Sequence, residues 1–119
     1  MAISYVSQTT AVVGTTSLTF TYPTVSAGDL LVMYIVNKYP AAPPTTPSGW
    51  SLQLSKSGGA GSSGANTGEV LVSVYTKIAT GSESGNFTVT ITSGNCAVGA
   101  IARFSNSTGY WDLASAWLS

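Results

Sequence analysis

The chain has 119 residues, enough for one domain, and 44% of them are hydrophobic, yet charged side chains make up 7% where about 25% is usual. Four basic and four acidic residues leave no net charge, and there is one cysteine and no histidine. This excludes His-based catalytic dyads and triads, Cys/His zinc clusters and an intrachain disulfide. The place of charge is taken by 18 serines, 16 threonines and 13 glycines.

The periodicity is two rather than the 3.6 of a helix, which predicts strands. A first strand is expected over 3–8. Residues 17–22 set Leu18, Phe20 and Tyr22 against Ser17, Thr19 and Thr21, one face for a core and one for water. Residues 29–39 and 69–79 are apolar on both faces. Such strands are buried on both sides or covered by a neighbouring subunit. A shorter strand is expected over 50–56. The clearest alternation is in 85–93, with Phe87, Val89 and Ile91 opposite Thr88, Thr90 and Thr92. Residues 97–104 complete the set, with Gly99 marking a bulge or a close approach.

Turn residues separate these runs. The Thr80-Gly81-Ser82-Glu83-Ser84-Gly85 stretch predicts a hairpin, and Ser93-Gly94-Asn95 a tight link between the next two strands. Two connections are long: 37–49, stiffened by Pro40, Pro43, Pro44 and Pro47, and 57–68, rich in glycine and serine. The expectation is an all-β protein, a single antiparallel β-sandwich over 1–119, jelly-roll or Ig-like, with about seven or eight strands. An aromatic C-terminal segment, 110–119, packs on its own sandwich or on a neighbour.

The longest apolar run, from Leu30 to Val36, falls far short of the about 20 residues of a membrane span. The N-terminus lacks the basic and apolar regions of a signal peptide. Lys38, Lys56, Lys77 and Arg103 stand apart in sequence, against a nucleic-acid surface. The glycine-rich loop lacks the Gly-Lys-Ser/Thr ending of a phosphate loop. Cys96 is read as a buried structural thiol at a strand start. The carboxylates Asp29, Glu69, Glu83 and Asp112 are read as turn, cap or edge groups, and a two-carboxylate hydrolase would need two of them brought together. No catalytic residue, cofactor or metal is expected. The candidate interface residues are Tyr39, Pro43, Pro44, Trp50, Tyr110, Trp111, Trp117 and Leu118. Aromatic and apolar groups in long loops and chain ends suit contact surfaces. Trp50 is also read as an anchor for the proline loop.

Several stretches carry a resemblance. They are Ala27-Gly28-Asp29-Leu30-Leu31-Val32, Pro47-Ser48-Gly49-Trp50, the Glu83-Ser84-Gly85 turn before a Thr-alternating strand, Arg103-Phe104-Ser105 and Gly109-Tyr110-Trp111-Asp112. In this order the chain resembles small β-sandwich structural proteins of tailed-bacteriophage virions. The resemblance implies a non-enzymatic capsid decoration or cement protein in the virion, made in the host cytoplasm. Its implied partners are the phage major capsid protein or another virion protein and further copies of itself, with no nucleic acid or membrane. The alternative is a tail-fibre or cell-surface module that binds a carbohydrate or receptor.

Overall fold

The computed structural model describes residues 3–38, 43–61, 68–92, 96–106, 108, 110 and 111. Eight strands run through them: β1 (Ile3–Gln8), β2 (Val12–Gly14), β3 (Ser17–Thr21), β4 (Leu30–Lys38), β5 (Ser51–Gly61), β6 (Gly68–Ile78), β7 (Asn86–Thr90) and β8 (Ala97–Asn106). All pairings are antiparallel. The larger, six-stranded sheet has the order β1-β8-β4-β6-β5, and β2 continues the edge of β8 beyond β1. The smaller sheet is β3 paired with β7. The expected all-β sandwich is therefore present, with two sheets of unequal size.

Alternation builds the core. Leu18 and Phe20 of β3, Val89 of β7 and Ile91 just beyond it point inward. They meet Leu31, Met33 and Ile35 of β4, Tyr75 of β6 and Ile101 of β8, all almost wholly buried. Gly99 makes this contact close: a Cβ there would lie 2.8 Å from the Phe20 ring and 2.8 Å from the Tyr34 carbonyl oxygen. The outward residues of the small sheet are polar. Thr19 and Thr88 pair their hydroxyls at 3.1 Å, and the Thr21 hydroxyl donates to Asn86 Oδ1 at 2.8 Å.

The proline loop widens the smaller layer. The Thr45 amide donates to the Thr90 carbonyl at 2.9 Å, beside β7. Pro44 is buried, and its carbonyl accepts the Tyr75 hydroxyl at 2.6 Å. Burial pushes the Tyr75 phenol up to about 12, against a smaller lowering by the Ser73 hydroxyl. The loop closes on a turn in which the Trp50 amide donates to the Pro47 carbonyl, with Gly49 at φ 85°.

Three expectations need correction. The 80–85 turn joins no hairpin, because β6 lies in the large sheet and β7 in the small one. The tight link expected at 93–95 falls outside the described residues; β7 and β8, on either side of it, lie in different sheets. The glycine-rich stretch is partly strand: β5 and β6 stay paired out to Gly61 and Gly68, with a register shift between Gly58 and Gly61. Glycines fit here because β5 is an edge strand and a bulge absorbs the irregularity. Finally, Cys96 is exposed rather than buried, since it sits just before β8 and outside the alternation.

Candidate functional site

Residues directly opposite each other in a ladder share a face. On β4 the odd positions face the core, so Val32, Tyr34, Val36 and Lys38 face outward. Their partners on β6 are Thr76, Val74, Val72 and Val70. On β8, Ala102, Ala100 and Val98 lie opposite Val32, Tyr34 and Val36. Leu54 joins from β5 beside Val74, Val13 from β2 beside Val98, and Tyr5 from β1 beside Phe104. The outer face of the large sheet is thus apolar through its centre, with Lys56 on β5 and Lys38 at the end of β4. Among the described residues no strand packs over it. Val13 is 79% exposed, Tyr5 62% and Val70 47%, and the central valines are half-buried by one another.

The uncharged polar side chains nearest the middle of this face are paired with each other. Gln53, the extra residue of a bulge in β5, donates from Nε2 to Thr76 Oγ1 at 2.7 Å. Gln8 donates from Nε2 to the Tyr34 hydroxyl at 3.3 Å. The Tyr5 and Phe104 rings meet edge to face at 5.9 Å. At the end where β4 finishes, a depression of about 280 Å³ opens between Val36, Lys38, Val70, Cys96 and Val98. Asn37 Oδ1, buried beside it, has no hydrogen-bond partner among the described residues.

The aromatic candidates divide. Trp50 is 6% exposed; it stacks with Tyr22 and donates its indole N–H to the Tyr22 hydroxyl at 3.1 Å. It anchors the proline loop and offers little contact surface. Pro44 is buried and Pro43 exposed. Trp111 is half-buried on its own domain, donating its indole N–H to the Gly28 carbonyl at 2.8 Å. Tyr110 is 68% exposed. Tyr39, Trp117 and Leu118 lie outside the described residues. Sequence reading singled out loops and the chain end; the apolar sheet face carried its signal in the two-faced strands.

Asp29 and Glu83 hold turns, and Glu69 lies in β6. Asp29 Oδ2 accepts Arg103 Nε at 2.6 Å and the Ser26 amide at 2.8 Å, tying the turn before β4 to β8. Glu83 lies 3.6 Å from Lys77 Nζ and accepts the Thr80 and Gly81 amides at 2.8 and 3.0 Å. Burial by itself raises the Glu83 carboxyl. The backbone N–H groups and the Thr80 hydroxyl outweigh that and hold it at about 2. A general acid of a glycosidase needs the opposite displacement, so Glu83 cannot serve as one near neutral pH. Asp112 lies outside the described residues. Among those residues no cluster of three or more metal-ligating side chains forms, and no helix is long and apolar enough to cross a membrane.

No known protein family, curated protein or solved structure matches this chain.

Proposed function

We propose that this protein is a non-enzymatic structural protein of a tailed-phage virion, a decoration or cement protein that coats the capsid in many copies. The observation that carries the reading is the apolar outer face of the six-stranded sheet. A sandwich needs one apolar face per sheet, and the small sheet obeys that rule. The large sheet carries a second, and an apolar patch of this size is often a functional surface. The near absence of charge fits the same purpose, since neutral surfaces do not repel further copies. The virion and the capsid come from the sequence resemblance.

In this reading, copies bind at symmetry-related positions and bury surface where shell subunits meet. Binding to the assembled state alone stabilises it by mass action. Pro43 and Tyr110, exposed beside the buried Pro44 and the half-buried Trp111, are the shell contacts. The carbohydrate-binding alternative draws less support, because Trp50 is buried and the Trp111 indole is engaged by Gly28.

The test is co-sedimentation with tailed-phage shells assembled without the protein. It is expected to pellet at a fixed copy number per shell and to raise the temperature at which shells come apart. Removal of residues 110–119 is expected to abolish pelleting while the domain stays folded. Protein left in the supernatant at all concentrations would contradict the reading.

A further inference from the structure

We infer that the valine-rich outer face of the six-stranded sheet is the contact between two copies of this chain. The inference rests on the assembly reading above and names the partner of that surface. Three observations select a second copy.

The first is size. Five strands about 4.8 Å apart and a ladder of about eight steps of 3.3 Å give a face of about 500 Å². Two such faces bury about 1,000 Å² together, the lower bound for a specific interface. A single face of this area therefore suffices for a pair.

The second is chemistry. The centre of the face consists of Val32, Tyr34, Val36, Val72, Val74 and Val98, all uncharged. Its internal polar groups are paired within the chain, Gln53 with Thr76 and Gln8 with Tyr34. They enter a dry contact without losing a partner. Nothing at the centre of the face demands a complementary charge from a different protein.

The third is polarity of placement. The charged residues at this face, Lys38 and Lys56, sit toward the end where β4 finishes. The Leu30, Phe104 and Ile78 end is apolar. A two-fold axis in the plane of contact and across the strands sets these ends opposite each other. The lysines of the two copies then stay apart at the rim, as an isologous contact requires. Two sheets about 10 Å apart, with strands about 30° from alignment, interdigitate their valines in this way. The product is a four-layer pair with the small Thr-lined sheets outermost.

The experiment is sedimentation equilibrium of the purified chain over a wide concentration range, beside Val74→Glu and, as an isosteric control for folding, Val36→Thr. The wild type is expected to form dimers. Val74→Glu is expected to weaken them by about thirtyfold or more, as loss of a central contact does, with an unchanged circular-dichroism spectrum. Should Val74→Glu fail to fold, Val36→Thr, which keeps the shape of the side chain, is expected to weaken the dimer in the same direction. A dimer unaffected by either change overturns the inference. A wild type that stays monomeric overturns it too, and shell binding then shows where the face belongs. Loss of pelleting by Val74→Glu assigns the face to the shell and leaves the assembly reading standing. Pelleting unaffected by Val74→Glu removes the face from assembly altogether. A monomer that begins to dimerise once residues 112–119 are removed assigns the face to the chain's own end.

Discussion

The two sheets turn very different surfaces away from their shared core. The small sheet presents Ser17, Thr19 and Thr21 beside Thr90, Thr88 and Asn86, cross-linked by hydroxyl and amide hydrogen bonds. The large sheet presents Val32, Tyr34 and Val36 between Val70, Val72 and Val74 on one side and Val98 on the other. Both positions suit β-branched residues, since threonine and valine have nearly the same shape and the same preference for strands. Strand propensity cannot account for the difference. On the proposed reading, what differs is the medium each face meets: water for the threonines, another apolar surface for the valines.

The core common to both sheets sets the scale against which the faces are judged. Phe20 lies 1% exposed above Gly99 and stacks on Phe87 with centroids 5.5 Å apart. Phe20→Ala is expected to cost about 3–5 kcal/mol of stability in denaturant titration, enough to leave the domain marginal. A loss below about 1 kcal/mol would mean that the small sheet is not held by this contact.

A smaller effect is expected at the turn joining the two sheets. Glu83 in the folded chain ionises at about 2, against an ordinary value of 4.5. Its folded value is lowered, so its contribution is complete above pH 4.5 and fades as pH falls toward about 2. Glu83→Gln is expected to cost about 1–2 kcal/mol at neutral pH and to flatten the loss of stability through that acid window. Melting temperatures measured across the window check both statements. A variant with the same acid profile as the wild type would contradict them.

The smallest effect is expected on the small sheet's outer face. Thr88→Val breaks the 3.1 Å hydroxyl pair with Thr19 in an exposed position, and stability should change by no more than about 0.5 kcal/mol in either direction. Its expected consequence is instead new self-association, since one more valine faces water. Light scattering of Thr88→Val at high concentration reads this out. Unchanged scattering would mean that a single valine in a threonine ladder is too little to create a contact.

The threonine face was legible in sequence, because polar and apolar residues alternate strictly in 17–22 and 85–93. The valine face was legible in part. Runs 29–39 and 69–79 are apolar at odd and even positions alike, and periodicity shows that both sides are hydrophobic without showing what lies on each. β2 escaped notice because Val12–Gly14 gives too few residues for a period. Turn chemistry marked where 80–85 and 93–95 change direction. It carries no information on which sheet the next strand joins, so 80–85 reads as a hairpin. The Asp29–Arg103 pair joins residues 74 apart in sequence, and only the β4–β8 register brings them together. Trp50 was legible as the anchor of the proline loop on the core, whereas the outward valines carry no distinctive chemistry one at a time.

The central claim is that the two outward faces differ because one is covered in the working assembly. It is tested most directly by giving the large sheet the small sheet's chemistry. Val36, Val72, Val74 and Val98 are each replaced by threonine in one chain, and its molar mass in solution is measured beside the wild type by sedimentation equilibrium. The account predicts a dimeric wild type and a folded, monomeric threonine variant. Equal masses for the two chains at every concentration would contradict it.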